Sequence, residues 1–543
     1  MKGAARSVPL RRRTLLAAGG ALAAGVGACT PSSPALPPAV WVGARHDRGH
    51  RLRTAGALPP VAVQRRAAVL VVGAGIAGLA AARAFAQRGA ADVQLLELED
   101  TAGGNSRGHA VAGMACPLGA HYLPVPAADS PAREVAAWLH QIGLLKHQLG
   151  RSVADERHLC HSPQERLFIE GAWAEGLLPP VDPGSASARQ MQAFAQAVAE
   201  VRRTGAGSGS ARGAPAFALP AHRSAWGPLQ AELDRQTFAR WLDARGLSDP
   251  LLRWYLDYCC RDDYGAGPEV VSAWAGLHYF ASRHGFQAPG DGADTADREG
   301  VFTWPEGNAW LVRQLAAPLA GRLHTGRTVL RVTEGRHAVQ VLAWDENTQR
   351  LEAWTAPQVV LALPLFIAAR VLESPPQALR EAAQLLAYAP WLVANLQLDA
   401  PLLDRPGAPP SWDNVVYGGR GLGYVDAGHQ NLHPVPGATV LTAYHALARS
   451  ERPALLAEDP RPWAERVLAE LRGAHPDIDR RVQRIDLMRW GHAMAIPAPG
   501  LQRHAALQAL RAARGRVRYA HADLAGCSVF EEAFTAGCEA ALP

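Results

Sequence analysis

Val69-Leu70-Val71-Val72-Gly73-Ala74-Gly75-Ile76-Ala77-Gly78 is an apolar run that ends in a glycine-rich turn. Val69 to Val72 reads as a short buried strand, and Ile76 to Arg88 as a helix that Gly89 stops. The glycines fall between them. Gly73 permits the tight turn, Gly75 lets the backbone approach a pyrophosphate, and Gly78 lets helix and strand pack closely; the helix amino terminus offers free N–H groups to phosphates. A second apolar run, Val93 to Leu98, delivers Glu97 nineteen residues past Gly78, where a carboxylate accepts hydrogen bonds from a ribose. Glycine turns also arise for local reasons, but strand, turn, helix and acid in register describe a dinucleotide site.

Residues 1–28 hold Lys2, Arg6, Arg11, Arg12 and Arg13 and no acid, followed by small and apolar residues from Leu15 to Ala28 and then Cys29. Such a stretch is a signal h-region, too short to span a bilayer. Arg12-Arg13-Thr14-Leu15-Leu16 resembles a twin-arginine export signal and Val26-Gly27-Ala28-Cys29 a bacterial lipobox, which implies a periplasmic protein held to a membrane by lipid on Cys29. An ordinary secretory signal with an incidental cysteine is the alternative. The whole chain carries 55 basic and 49 acidic residues; without the leader the balance is 50 to 49, so no basic face for nucleic acid is expected.

The chain of 543 residues is 48% apolar and 19% charged, ample for a large core. Cys116, Cys160, Cys259, Cys260, Cys527 and Cys538 permit disulfides but have no metal-ligand spacing, so no metal site is expected. Thr30 to Pro60 reads as a Pro-rich tether. A long, mostly helical tract follows the first nucleotide unit, broken by loops at Thr204 to Pro215 and Gly285 to Asp297. Strand patterns return at Thr328 to Val332, Ala338 to Ala343 and Val359 to Leu363, then at Trp391 to Leu398, Thr439 to His445 and Val482 to Trp490; a helix is expected at Trp463 to Arg472.

Four stretches together resemble the flavin amine oxidase and phytoene desaturase superfamily. They are Val69 to Gly78; Leu96 to Ser106, with Gly103-Gly104; Trp304-Pro305-Glu306-Gly307-Asn308-Ala309-Trp310-Leu311 with Thr328 to Val332 and Val359 to Pro364; and Val517 to Asp523 leading into Phe530-Glu531-Glu532-Ala533. The resemblance implies an α/β architecture: a discontinuous Rossmann-type FAD-binding domain, parallel sheet with helices, from residues 66–130, 301–365 and 501–543. It is interleaved with an α+β substrate-binding domain from 131–300 and 366–500, after a signal at 1–28 and a tether at 29–65. It implies FAD, with Gly73, Gly75 and Gly78 at the pyrophosphate, Glu97 at the adenosine ribose, the Val329 backbone near adenine and Asp523 near ribityl or phosphate oxygens. Ala74, Ile76, Ala77, Leu98, Gly103, Gly104, Asn105 and Ser106 complete the expected cofactor set. Asp523 could instead cap a helix, and Gly103-Gly104 could be an ordinary turn.

The chain departs from the family at several points. Asn105 stands where many relatives have arginine, with Arg107 two residues on as a possible substitute, and Ala520-His521-Ala522-Asp523 lacks the usual glycine before the aspartate. Many amine oxidases of this type hold a water near the flavin with a lysine, whereas Lys146 is the single lysine after the leader and falls in a stretch read as helical. A second nucleotide unit is not found: Gly418-Gly419-Arg420-Gly421-Leu422-Gly423 reads as a hairpin or loop.

Electrons are therefore expected from a small-molecule substrate by hydride transfer to flavin, leaving to oxygen or another acceptor. The oxidised bond would be C–N or C–C; an isoprenoid-type desaturase or isomerase and a non-catalytic flavin-binding lipoprotein are the alternatives. Catalytic candidates are His121, in Gly119-Ala120-His121-Tyr122, and Trp490 and His492, in Arg489 to Met494. A histidine can take a proton and an aromatic can hold a cation, although any one histidine of 20 can equally be a packed or surface residue. Tyr258 to Tyr264, with Arg261, Asp262 and Asp263, either faces the same cavity or ends a solvated helix.

Overall fold

The computed structural model describes residues 36–54, 58–127, 129–204, 214–290, 300–431 and 437–543. The expected leader and Cys29 lie outside them, as do most of Thr204 to Pro215 and residues 291–299 of the second expected loop.

Val69–Val72 forms the centre of a five-stranded parallel sheet, flanked by Val93–Leu96 and then Leu323–His324 on one side, and by Gln358–Leu361 and then Val517–Tyr519 on the other. Leu70 and Val71 are fully buried, because helices cover one face and a second sheet the other. Helices Ile76–Gln87 and Phe530–Ala540 pack on the first face through Leu79, Phe85 and Phe534. The other face meets a four-stranded sheet of Arg327–Glu334, Val339–Asp345, Arg350–Ala356 and Val61–Arg66. Three stretches far apart in sequence thus build one nucleotide fold.

A third sheet, of eight strands, runs in the order Ala39–Trp41, Val482–Ala495, Tyr388–Leu398, Thr439–Ala446, Tyr424–Asp426, Asp413–Val416, Glu165–Ile169 and Ala172–Glu175. Tyr388–Leu398 is buried on both faces, with helix Pro460–Leu471 against one side and the helices between Ala186 and Ala281 against the other.

Three expectations need correction. The tether reading fails from residue 36 onward: Ala39–Trp41 pairs in parallel with Ile485 to Leu487, His46–Thr54 is a helix, and Val61–Arg66 pairs with Leu351 to Thr355. Backbone pairing with a sheet edge needs little side-chain pattern, which is why composition misread it. The tract after the first nucleotide unit is not mainly helical at its start, since residues 108–175 contain the hairpins Gly108–Val111 with Met114–Pro117, Leu145–Gln148 with Arg151–Ala154, and Glu165–Ile169 with Ala172–Glu175. Lys146 accordingly lies on a strand, where its Nζ donates to Asp155 at 2.9 Å. Gly418 to Gly423 is the connection between the antiparallel strands Asp413–Val416 and Tyr424–Asp426. The six cysteines from Cys116 to Cys538 are unpaired.

Candidate active site

The turn after Val72 shows why its glycines are glycines. Gly73 has φ +97°, and a Cβ there would collide with the Ala362 carbonyl; a Cβ on Gly78 would collide with the Gly73 carbonyl. Gly75 differs. A Cβ there would meet no protein atom closer than 3.8 Å, so packing within the protein does not demand glycine; the vacant side leads into a cleft of about 300 Å³. Every residue expected at the cofactor except Ala74 and Gly78 lines this cleft. Ala74 acts from behind: its N–H donates to Glu97 Oε2 at 2.7 Å, and Glu99 N–H donates to Oε1 at 3.0 Å, fixing the carboxylate at the strand end. Burial raises the Glu97 pKa against these two donors.

Asp523 is fully buried in the cleft wall. It does not cap the short helix Ala522–Ala525; His521 does, through Nδ1 accepting the Asp523 N–H at 3.1 Å. The Asp523 carboxylate instead receives the Tyr388 hydroxyl at 2.5 Å and the Leu365 N–H at 2.9 Å, both on Oδ2; Oδ1 lies 3.1 Å from His521 Nδ1, a ring nitrogen already taken up by the Asp523 N–H, and has no other partner among the described residues. A buried carboxylate oxygen left open beside a dinucleotide cleft is what a ribityl or ribose hydroxyl requires. Gly73, Gly75, Glu97 and Asp523 together fit a bound dinucleotide.

Asn105 carries no charge into the cleft; its Nδ2 donates to the Ala493 carbonyl at 2.6 Å, tying the glycine loop to the far sheet. Arg107 does not replace a cofactor-facing arginine. It is buried behind the loop, 3.2 Å from Glu99 Oε2, with its guanidinium 5.4 Å from the Trp490 ring centre.

A second cavity of about 150 Å³ adjoins the cleft, and Asn105, Ala120, Asn308 and Ala493 line both. The Asn308 Nδ2 donates to the Tyr122 carbonyl at 2.9 Å, which orients the amide and leaves Oδ1 without a donor at the junction. His121, Tyr122, Trp391, Tyr444 and Trp490 supply aromatic walls. His121 stacks on Tyr444 with ring centres 4.5 Å apart, and burial drives its pKa down to about 3, so the ring is neutral. Trp490 donates through Nε1 to the Leu118 carbonyl at 2.7 Å and pairs across the sheet with Trp391.

His492 does not share this cavity. Opposite the two steps from Ala389 to Trp391 stand the four from Trp490 to Met494, and this bulge carries His492 round to the cofactor cleft, against Phe366 at 4.8 Å. Tyr258 to Tyr264 belongs to helix Pro250–Tyr264, whose last turn puts Asp262 and Asp263 into the cavity wall. Asp263 pairs with Arg283 at 2.9 Å. Asp262 has no ion-pair partner among the described residues; burial first, and then the Asp263 charge, raises its pKa to about 7. No lysine lines the cavity, and Val393 faces it from the central strand.

A family model of flavin-containing amine oxidoreductases matches residues 76–542. The chain belongs to that family. Its cofactor is FAD and it is an FAD-dependent oxidoreductase. Among solved structures, a putrescine oxidase bound to putrescine is similar at 17% identity and TM-score 0.64, covering 88% of this chain and 98% of that one. Cyclohexylamine oxidase from Brevibacterium oxydans IH-35A is similar at 18% identity and TM-score 0.62, again over 88% and 98%. A fatty acid isomerase from P. acnes, described as producing CLA, matches at 16% identity and TM-score 0.59, over 87% and 97%. These likenesses establish the fold of this family member.

Tyr388, Asn308, Trp391, Tyr444 and Arg283 are site residues that the sequence reading did not single out. Trp391 and Tyr444 lay inside correctly placed strand patterns, but which face a strand residue presents depends on the sheet it joins.

Proposed function

We propose that this enzyme oxidises a C–N bond of a small amine that binds as a cation. The observation that carries the reading is Asp262, a carboxylate that accepts the Tyr122 hydroxyl at 3.5 Å but has no ion-pair partner among the described residues, in a cavity walled by Tyr122, Trp391, Tyr444 and Trp490. A partly buried carboxylate is stabilised by a cation that brings its charge and N–H donors, and aromatic faces add cation–π attraction. Asn308 Oδ1 offers an N–H acceptor where cavity and cleft meet. Bound FAD supplies the hydride acceptor. The chain's residues hold the substrate carbon toward the cleft and exclude water; the bound ammonium gives one N–H proton to the Asp262 carboxylate, the neutral amine so formed loses hydride from the carbon bearing nitrogen, and water hydrolyses the resulting iminium to a carbonyl compound and a free amine or ammonia. Oxygen or another oxidant takes the electrons. Pro124, Arg283 and Glu531 also line a larger chamber of about 1120 Å³, an approach that bypasses the cofactor.

An isoprenoid desaturase or isomerase needs an apolar channel, and Asp262, Asp263 and Arg283 favour a charged ligand instead. The test is anaerobic reduction of the purified holoprotein by a panel of primary and secondary amines and of polyunsaturated hydrocarbons. Bleaching by amines alone is expected; bleaching by hydrocarbons alone would overturn the reading. We also propose export and lipidation at Cys29, checked by the mass of the mature amino terminus, where absence of a diacylglycerol adduct refutes the anchor.

A further inference from the structure

Residues 36–54 do more than join the sheet edge. From Ala39–Trp41, paired with Ile485 to Leu487, the chain crosses from the eight-stranded sheet to the nucleotide fold as helix His46–Thr54. Its first anchor is at the strand edge, where Arg489 lies 4.7 Å from the Trp41 ring centre and Trp41 Nε1 donates to the Glu458 carbonyl at 3.2 Å. The second is the loop after Glu97: Arg48 Nη1 donates to the Leu98 carbonyl at 2.8 Å, Arg48 Nη2 pairs with Asp100 at 2.8 Å, and the Arg45 N–H donates to Glu99 at 3.1 Å. A third holds the next turn, with Arg51 pairing to Glu346 at 2.9 Å while Glu346 accepts the Thr328 hydroxyl at 3.0 Å. Leu52 itself lines the cleft with Glu97, Leu98, Thr328 and Val329. On the opposite rim the His492 imidazole is held below its ordinary pKa by burial first and then by the charges of Arg452, Arg53 and His50. The helix therefore lines the Glu97 side of the cleft through Leu52, and its charges act on the opposite rim.

We propose that residues 36–54 are a clasp on the cofactor: helix His46–Thr54 closes the end of the cleft formed by Glu97, Leu98 and Val329, Leu52 packs against the adenosine half of FAD, and FAD leaves only when the helix lifts. Two of its three anchors are contacts with residues that line or adjoin the cleft, so clasp and cofactor stabilise one another. The inference rests on FAD as cofactor and holds whatever the substrate is.

The experiment compares FAD release from full-length holoprotein, followed by the fluorescence of free FAD after dilution, in the wild type, Arg48→Ala, Leu52→Ala and the double variant. Each single change is expected to speed release at least threefold and the double at least tenfold; rates within twofold of wild type in all three would overturn the clasp. A second measurement needs no variant: amide hydrogen exchange across residues 46–54 is expected to slow at least tenfold when FAD is added to wild-type apoprotein. Exchange that is the same with and without FAD would overturn the proposal equally.

Discussion

The hydroxyl of Tyr388 stands 2.5 Å from Asp523 Oδ2, so the first residue of the central substrate-sheet strand holds the carboxylate that closes the cofactor cleft. Removing that hydroxyl with Tyr388→Phe is expected to cost about 1 kcal/mol of FAD affinity, roughly fivefold in Kd. Asp523→Ala, which also deprives the Leu365 N–H of its acceptor, should cost about 2–3 kcal/mol. Titrating apoprotein with FAD measures both; an Asp523→Ala protein that binds as tightly as wild type would remove Asp523 from the cofactor site.

Glu97 is held by the N–H groups of Ala74 and Glu99, so it shapes the phosphate turn as well as offering a carboxylate to ribose. Glu97→Ala leaves two backbone donors without their acceptor and should weaken FAD retention by about 10–100-fold. Glu97→Gln keeps one acceptor and should lose less. Equal retention in all three proteins on gel filtration would refute the ribose role.

Asp262 sets a pH dependence. Its pKa, raised from 3.8 to about 7, leaves it neutral at pH 6 and ionised at pH 8. Binding of a cationic amine should strengthen as pH rises through this window, with kcat/KM climbing up to about tenfold per pH unit below 7 and levelling above it. Asp262→Asn should flatten that limb and raise KM more than it lowers kcat. Persistence of the limb in Asp262→Asn would assign it to another group.

His121 is a neutral wall of the cavity. With its pKa near 3 it does not titrate between pH 5 and 8. His121→Phe, which keeps a ring against Tyr444, should therefore leave the shape of the pH profile unchanged and hold kcat within about tenfold, less than the roughly 100-fold or more that loss of a general base ordinarily costs. Loss of a pH limb near neutrality in that variant would make His121 a base after all.

The strand, turn and helix from Val69 to Gln87 were legible because each is a local matter: four apolar residues, glycines where a Cβ collides, and an apolar helix face. Glu97 and Asp523 were legible for the same reason, since Glu97 stands directly after one short buried strand and Asp523 four residues after another. The cavity was not. His492 and Trp490, two residues apart, were read as neighbours in one site, but a bulge places them in different spaces. Residues 36–54 were read as a tether because Pro-rich composition says nothing about the sheet edge that Ala39–Trp41 completes.

Sequence alone determined the cofactor fold, through spacing that only a few turns of chain can satisfy. Tertiary structure decided what the enzyme presents to its substrate. Tyr122, Asp262, Trp391, Tyr444 and Trp490 come from five separate elements, and their convergence depends on strand register and on which face each side chain takes, neither of which is a local property.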